Sequence, residues 1–461
     1  MENSRYEAFA SWSVPRSLFK FIAPAVISNL ATMIFNLTDA FFVGRTGDTF
    51  QISAMTITLP LVLTMSAVSM IFGAGGNANV AACLGAGQEK RARHFSAFAL
   101  YTALAAILVI SCGVWLFERP LLPLLGANED SYVYCKGYLF WVYHAACIPM
   151  VFSQVVSQLF SAQGDTRIAS IGITGAGLLN VVLDPVMIFG MRMGIIGAGL
   201  ATCISNYSAM IFFLIVYLRK KRGCAISLDI RDYRASDGIA GRTLAIGVAG
   251  ALSMLFMNCV DFLRNYLFGV HGTQESLAAW GVVQRIGNSL LQICMGVAFG
   301  ARPLYAFNYS AGNLRRTRRL ILGDVIVMLA YNLIILSLVQ IFPAAFVRVF
   351  LPIEEIVPTA VRFIRIYVFF ILGVGMQEIF NSVFQGVGAW KQSMASIIFG
   401  KLIVTVPLLL LLTRAIGVTG IIATQPIADM VTFLTMLILY LIFVRKQLLG
   451  SDRPAPAQTE G

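Results

Sequence analysis

Charge is scarce in this chain. Only 12% of its 461 residues are Asp, Glu, Lys or Arg, whereas a soluble globular protein averages about 25%. Hydrophobic residues make up 58% of the sequence, and the mean hydropathy is +0.79. A water-soluble core cannot hide this much apolar surface, so the composition excludes an ordinary soluble protein and indicates that lipid is the solvent.

Several motifs that would carry other functions are also missing. The sequence has no Walker-type loop, which excludes ATP as the direct energy source. Its eight cysteines are scattered without metal-ligand spacing, and no grouping of His, Cys and Asp supports catalysis. We therefore expect neither a zinc site, a disulfide framework, a cofactor nor an enzyme. Residues 1–16 lack the pattern of a cleavable signal peptide, so the first span should remain as an anchor.

The sequence is duplicated. A series of small residues in the first half recurs in the second half at a displacement of 225 residues, and later matches follow at 222. Such duplication in a hydrophobic chain is typical of transporters that move one half against the other. The first series is Ser28, Gly44, Gly47, Gly75 and Gly87, which recur as Ser253, Gly269, Gly272, Gly300 and Gly312. The later matches are Gln163 with Gln385, Pro185 with Pro407, and Thr202 with Thr424.

Apolar stretches long enough to cross the hydrocarbon layer recur along the whole chain. They should be helices, because lipid offers the backbone no hydrogen-bond partners. The predicted fold is an all-α polytopic membrane protein with two six-helix lobes related by a parallel repeat. The predicted spans are 18–44, 53–84, 95–117, 133–160, 168–190, 194–218, 239–269, 277–306, 319–342, 356–385, 392–413 and 417–444.

The predicted organisation follows the repeat. Its parts are a cytoplasmic N-terminus (1–16), an N-lobe (17–218), a cytoplasmic linker (219–238), a C-lobe (239–446) and a disordered cytoplasmic tail (447–461). Most Lys and Arg residues fall on one side of this map, so the positive-inside rule predicts a plasma-membrane protein with both termini in the cytoplasm. The net charge of +12 then reflects topology and anionic lipid head groups, not nucleic-acid binding. We expect a monomer whose partners are the bilayer and a small organic substrate.

Acidic residues inside the spans mark candidate ion or substrate pathways, because a carboxylate at mid-bilayer costs at least about 2.5–3.5 kcal/mol. Asp39 lies near the outer end of the first span, and Asp184 lies in the fifth. Asn180 is four residues before Asp184 and shares its helix face, while Pro185 frees backbone carbonyls beside them. This set suits a proton or a sodium ion. The alternative is a polar cluster that only holds helices together.

Pro24 lies in the middle of the first span, fifteen residues before Asp39. A proline at such a position should bend the helix, because it removes one backbone hydrogen bond and crowds the preceding turn. Two interpretations stay open for Pro24: a static kink, or a hinge that is coupled to Asp39.

The second half carries different charges at the matching positions. Asp261 stands in place of Asn36, and Arg264 stands in place of Asp39. Asp261 and Arg264 are three residues apart, so they can pair on one helix face. We consider both a neutralised structural pair and a second ion site.

Two further acids, Glu378 and Asp429, lie within predicted spans of the second half. Glu378 is the better candidate to contact a cationic substrate, from its predicted depth in the tenth span. Candidate basic partners for these acids are Arg285, Arg302 and Lys401. The possible substrate or polar site of the C-lobe comprises Asp261, Arg264, Gln284, Arg302, Glu378 and Asn381.

With these features the chain resembles the bacterial branch of the multidrug and toxic compound extrusion (MATE) family over residues 15–446. The more specific motif is the run from Asn180 to Pro185. Weaker matches are Pro24 with the run 36–39, the run 197–202, and the run 307–312, in which Ser310 replaces the Gly of an Asn-Tyr-Gly-Ala motif. The resemblance implies two six-helix lobes in a V shape, and export of amphipathic, often cationic, compounds against an influx of protons or sodium ions.

The resemblance also implies functional residues. In relatives, a cation site in the N-lobe uses positions that match Asp39, Asn180, Asp184 and Thr202, and sodium could bind at the first three. One branch carries a C-lobe acid on the seventh helix, where this chain has Asp261 close to Arg264. Arg302 replaces the Gln that usually precedes this proline in close bacterial relatives. A positive charge there would disfavour cationic drugs, which leaves neutral, zwitterionic or anionic substrates open.

Two other functions remain possible at this point. A lipid-linked oligosaccharide flippase would share the two-lobe plan, and only the buried basic residues of the C-lobe favour it. A non-transporting receptor or scaffold would bind a ligand without moving it, and it would need neither a duplicated core nor paired acids within its spans.

Overall fold

A computed structural model of the chain describes residues 9, 11–44, 49–220, 224–236, 238–350 and 356–448. Within these ranges some side chains also lie outside the described part, at positions 36, 37, 39–41, 44, 49, 52, 253, 254, 258, 274, 349, 350 and 447. The predicted site residue Asp39 is one of them, so only its backbone is described. Most of the predicted disordered tail, from residue 449 onward, also lies outside the described residues.

The N-terminal half consists of long helices joined by short turns. They are α1 (Val14–Gly44), α2 (Thr49–Gly85), α3 (Glu89–Leu116), α4 (Glu118–Leu124), α5 (Glu129–Leu139), α6 (Cys147–Ala162), α7 (Thr166–Pro185) and α8 (Gly194–Lys220). Two π-helical segments interrupt this series, Phe140–Ala145 after α5 and Val186–Gly190 after α7. The second follows Pro185 directly, where the missing backbone N–H disturbs the regular hydrogen-bond ladder.

The C-terminal half repeats this arrangement. Its helices are α9 (Ile239–His271), α10 (Gln274–Ser310), α11 (Leu314–Ile341), α12 (Pro343–Phe350), α13 (Val357–Tyr367), α14 (Phe370–Gly386), α15 (Trp390–Ile398), α16 (Val406–Ile416), α17 (Val418–Leu439) and α18 (Arg445–Leu448). A π-helical segment, Phe399–Thr405, joins α15 to α16 just before Pro407, and another, Tyr440–Val444, joins α17 to α18.

The predicted fold class, an all-α polytopic membrane protein, is confirmed. Among the described residues, ten helices are long and apolar enough to cross a membrane, or up to twelve if two bent pairs each form one span. The bent pairs are Glu129–Ala145 with Cys147–Ala162 and Val357–Tyr367 with Phe370–Gly386, and each bends by 44°. The predicted fourth span (133–160) and tenth span (356–385) coincide with these bent pairs, and the bends themselves were not predicted.

The bend in the fourth span has a local cause. The first straight segment ends at Ala145, four residues before Pro149. Proline has no N–H to donate to that carbonyl, and its ring crowds the preceding turn. The first straight segment of the tenth span ends at Tyr367, which is 222 residues beyond Ala145. The same displacement relates the later matches of the sequence repeat, so the bend belongs to the duplicated architecture.

The described residues form two compact units. The N-terminal unit includes Ile27–Val248, and the C-terminal unit includes Glu7–Val26 and Ala249–Gly461, in their described parts. Each division falls inside a long helix, α1 or α9, which is the first helix of each repeat. The lobe boundaries predicted from the repeat stay a prediction.

In the N-terminal unit, the backbones of α2 and α9 approach each other closely. A Cβ atom added to Gly247 of α9 would lie 1.7 Å from the Ile71 carbonyl oxygen of α2. A Cβ atom added to Gly75 would lie 2.2 Å from the Thr243 carbonyl oxygen. The two helices therefore cross at van der Waals contact between backbones, which is the way that small residues hold membrane helices together.

The same contact recurs in the C-terminal unit. There, Gly296 and Gly300 of α10 pack on the early part of α1, and added Cβ atoms would lie 2.7 Å from Val26 Cα and 2.9 Å from Ile22 Cα. Gly300 is the repeat of Gly75. The duplicated pair Gly75 and Gly300 thus serves one purpose in both units, the close crossing of two helices.

The predicted linker includes a buried segment. Ile226 and Ser227 are buried, and Ser96 of α3 binds Ser227 twice: its Oγ accepts from the backbone N at 2.8 Å and donates to the carbonyl at 3.2 Å. Tyr101 also donates its hydroxyl hydrogen to the Leu228 carbonyl at 2.7 Å. The described part of the linker is therefore fixed to the N-terminal unit and is not a loose connection.

We expect Gly247→Ala to lower the free energy of unfolding by about 1–3 kcal/mol, the usual cost of overpacking, since the new methyl group would overlap backbone. The measurement is the melting temperature of the purified protein in detergent. Gly241→Ala is the matched control, because it lies on the same helix and an added Cβ meets nothing within 4 Å. Equal melting temperatures for the two variants would contradict the proposed crossing.

Candidate functional site

Three of the four predicted cation-site residues meet inside the N-terminal unit. Asn180 and Asp184 lie on one face of α7, one turn apart, and Thr202 lies on α8. The Asn180 amide Nδ2 donates to Asp184 Oδ1 at 3.2 Å and to Thr202 Oγ1 at 3.3 Å. All three side chains are buried, and Asp184 has no solvent-exposed surface. The spacing on one helix predicted the first pair, and the family resemblance implied Thr202.

The local backbone explains why Asp184 lies where it does. Pro185 ends α7 directly after Asp184, and the chain continues as the π-helical segment Val186–Gly190 before turning into α8. Such π-helical segments often occur at functional sites. The turn brings α8 back along α7, so Thr202 faces Asn180.

The cluster offers oxygen atoms to a cation. Its candidate ligands are a carboxylate, the Thr202 hydroxyl and Asn180 Oδ1, which is buried and has no hydrogen-bond partner in the described part of the protein. Oxygen ligands of this kind suit a proton carried by the carboxylate or a hard cation such as sodium. No group of three or more His, Cys, Asp or Glu side chains among the residues searched could hold a metal ion.

The first helix carries the other two predicted residues. The side chain of Asp39 lies outside the described residues, so its place in the cluster stays a prediction. Pro24 lies within α1 and is half-buried, in the segment that belongs to the C-terminal unit. Whether it acts as a kink or as a hinge also stays open.

A second polar network lies in the C-terminal unit. Arg264 Nη1 pairs with Asp261 Oδ1 at 2.8 Å, as the spacing on α9 suggested. Arg264 also donates from Nη2 to Gln425 Oε1 of α17, and its guanidinium lies 5.4 Å from the centre of the Trp280 ring. Gln284 is close enough to Asp261 to act on its carboxylate. Arg264 is thus a buried cation that three elements hold in place.

The network continues through Asp429. Gln425 Nε2 donates to Asp429 Oδ2 at 2.6 Å, and Lys401 Nζ pairs with Asp429 Oδ1 at 3.3 Å. Lys401 belongs to the π-helical segment, and its neighbour Gly400 lets α17 approach, because an added Cβ would lie 2.4 Å from the Thr432 side chain. Thr432 is one turn from Asp429, so this close contact brings Lys401 to the carboxylate.

The same unit holds the other predicted polar residues, which are Arg302, Glu378 and Asn381. Arg302 is buried beside the Phe299 ring at 4.5 Å, and its Nε and Nη2 have no hydrogen-bond partner among the described residues. Arg302 and Lys401 both act electrostatically on Glu378. Asn381 interacts with Glu378 and accepts hydrogen bonds from Gln385 and Ser393. Of the candidate basic partners, Lys401 forms the ion pair with Asp429, whereas Arg285 is exposed.

Sequence reasoning missed one buried acid. Asp324 lies in α11 with no exposed surface, and the Tyr305 hydroxyl of α10 donates to its Oδ2. Its Oδ1 has no partner among the described groups. A signal was available, because Asp324 interrupts an otherwise apolar run from Leu320 to Ala330. The contact of Tyr305 with Asp324 could not be predicted from the sequence, since the two residues are nineteen positions apart and lie on different helices.

The sequence profile of the MatE family matches residues 24–186 and 250–411. The chain is similar to the multidrug export protein MepA of Staphylococcus haemolyticus, with 26% identity across 95% of this chain and 96% of that protein. MepA of Staphylococcus aureus is likewise 26% identical, across 96% of this chain and 97% of that protein.

A solved structure shares the fold. It is an outward-facing multidrug resistance MATE family transporter of the MOP superfamily, with a TM-score of 0.88 and 20% identity across 95% of this chain and 96% of that chain. The family profile matches one segment in each half and together these segments cover most of the sequence. The chain therefore belongs to the MatE family, whose members are membrane transporters and not enzymes.

Proposed function

We propose that the protein is a secondary active efflux transporter that exports amphipathic drug-like or toxic organic compounds by antiport with protons or sodium ions. The observation that carries the proposal is the fully buried Asp184, held by Asn180 beside Thr202 inside an apolar unit. The relatives MepA are multidrug export proteins, which supports the same class of substrate. The duplicated sequence supports alternating access, in which two similar halves expose a site to each side in turn.

The energy of one coupling ion is sufficient for this task. A monovalent cation that enters down a potential of 100 mV supplies about 2.3 kcal/mol. A tenfold concentration ratio adds about 1.4 kcal/mol. Together these values sustain a gradient of a few hundredfold for a neutral compound, on the order of what efflux requires. Binding of the ion at Asp184 would neutralise the carboxylate while the protein carries it across the low-dielectric interior.

The flippase alternative is not favoured, because the relatives described above are multidrug export proteins. A receptor that does not transport would have no need for the duplicated fold.

We propose that the protein is a monomer in the plasma membrane and that both of its termini lie in the cytoplasm. Arg and Lys residues would be concentrated on that side. Support comes from the distribution of basic residues. On the map of spans predicted from the sequence, the runs at Lys90–Arg93 and Arg315–Arg319 and the basic end of α8 all fall in connections assigned to the cytoplasmic side.

We expect Asp184→Asn to abolish ion-driven transport while the protein stays folded, because the amide keeps the shape of the carboxylate and cannot gain or lose a charge. The measurement is movement of ethidium, or of Nε-dansyl-lysine if ethidium is not moved, in reconstituted vesicles under a pH or a sodium gradient. The gradient that drives the wild-type protein identifies the ion, and Asp39→Asn should behave as Asp184→Asn does.

The matched control is Asp130→Asn, the same substitution at an exposed position of α5. It should transport at the wild-type rate. Gradient-driven transport by Asp184→Asn at the wild-type rate would remove this residue from the coupling mechanism.

Topology gives a separate test. A green fluorescent protein fused after residue 448 should fluoresce in bacterial cells, and alkaline phosphatase fused there should be inactive, since its disulfides form only outside the cytoplasm. Phosphatase fused after His271, in the α9–α10 turn, should be active. The opposite pattern of activities would reverse the proposed orientation.

A further inference from the structure

A cleft inside the C-terminal unit combines apolar walls with charged groups. Its apolar lining includes Met257, Val260, Leu291, Phe370 and Val374. Asp261, Arg264, Lys401 and Gln425 also line it. Pockets that bind small molecules typically have mostly apolar walls and a few converging polar groups that fix orientation.

The charged groups of the cleft differ in accessibility. The side chains of Arg264 and Asp429 are 1% exposed, whereas that of Asp261 is 24% exposed and that of Lys401 is 11% exposed. Each accessible group is backed by a buried group of opposite sign. A ligand in the cleft would therefore meet one carboxylate and one ammonium group, and the buried partners would hold both in place.

Both accessible groups retain bonding capacity. A lysine ammonium has three donors, and the described partner of Lys401 is a single oxygen of Asp429. A carboxylate accepts up to about four hydrogen bonds, and Asp261 accepts them from Arg264 and Gln284. These two side chains can thus engage a ligand without breaking the ion pairs that bury the network.

We propose that this cleft binds the zwitterionic head of an amphipathic molecule, with an anionic group on Lys401, a cationic group on Asp261 and the apolar body on the cleft walls. The proposal rests on the proposed function in one respect: the ligand would be the exported compound. It names a substrate class that the drug-export proposal leaves open.

The charges disfavour simpler ligands. A lone cation at Asp261 would lie in the field of Arg264 and Lys401, which both act on that carboxylate. A lone anion at Lys401 would lie beside Asp429 and near Asp261. Only a ligand that carries both charges gains at both ends, since each of its groups meets the opposite sign.

Three matched fluorescent probes separate these cases. Nε-dansyl-lysine carries a carboxylate and an ammonium group next to an apolar fluorophore. Dansylcadaverine lacks only the carboxylate, and Nε-dansyl-6-aminohexanoate lacks only the ammonium group. The dansyl emission of each probe is titrated with the purified full-length protein in detergent, without any ion gradient, so binding is measured independently of transport.

The wild-type protein should bind Nε-dansyl-lysine on the order of tenfold more tightly than either analogue, the effect of one added charge-assisted hydrogen bond. Lys401→Gln should bind Nε-dansyl-lysine no better than dansylcadaverine. Asp261→Asn should bind it no better than the aminohexanoate. Lys391→Gln, the same substitution at an exposed position outside the cleft, should keep the wild-type preference.

Equal affinity of the wild-type protein for all three probes, or binding of none, would overturn the proposal even if a variant failed to fold. A wild-type preference that persists in both Lys401→Gln and Asp261→Asn would also overturn it. These outcomes are distinct from failure of the proposed function, which would show as absence of gradient-driven transport. A protein can export other compounds without this binding preference, and it can show this preference without coupling to an ion.

Discussion

The cost of placing charge in a hydrocarbon solvent governs this structure. An ionised side chain at mid-bilayer is tolerated only with partners, and each buried charge therefore requires specific neighbours on adjacent helices. The two units meet this requirement in different ways. In the N-terminal unit, the amide of Asn180 holds Asp184 and contacts Thr202. In the C-terminal unit, Arg264 pairs with Asp261 and Lys401 pairs with Asp429. The first arrangement suits a carboxylate whose charge changes during transport, and the second suits fixed charges that recognise a ligand.

This difference arose on a duplicated scaffold. The positions that match Asn180 and Asp184 in the second half, at the displacement of 222, are Leu402 and Val406. Of the three residues of the cluster, only Thr202 has the same residue type at the matching position, which is Thr424. In the first half a π-helical segment follows Pro185, whereas in the second half the π-helical segment Phe399–Thr405 precedes Pro407 and contains Lys401. The second half therefore has neither the ion ligands of the first half nor a π-helical segment at the matching position, which is consistent with our proposal that one unit handles the coupling ion and the other the head group of the substrate.

Sequence reasoning succeeded where partners are neighbours on one helix. The spacing of Asn180 with Asp184, and of Asp261 with Arg264, predicted both contacts, and the duplicated pair Gly75 and Gly300 marked two close helix crossings. Long-range contacts could not be predicted in the same way. The spacing of Lys401 and Asp429 along the chain carries no information about their contact, because it depends on how two helices approach at Gly400. The bend at the fourth span was missed because hydropathy alone does not register the proline, and the pairing of Tyr305 with Asp324 was missed because no periodicity joins the two helices.

We propose antiport with the coupling ion bound at Asp184. In an antiporter, binding of the ion and binding of the substrate oppose each other, so equilibrium binding tests the proposal most directly. Titration of ethidium or Nε-dansyl-lysine into the detergent-solubilised protein over a matrix of pH and sodium concentration measures the coupling without any membrane gradient. Because linkage is reciprocal, an ion that competes with the substrate must weaken its binding as the concentration of that ion rises. We predict this dependence on protons or on sodium for the wild-type protein and its loss in Asp184→Asn. Wild-type binding that is independent of both ions, or an unchanged dependence in Asp184→Asn, would contradict the account.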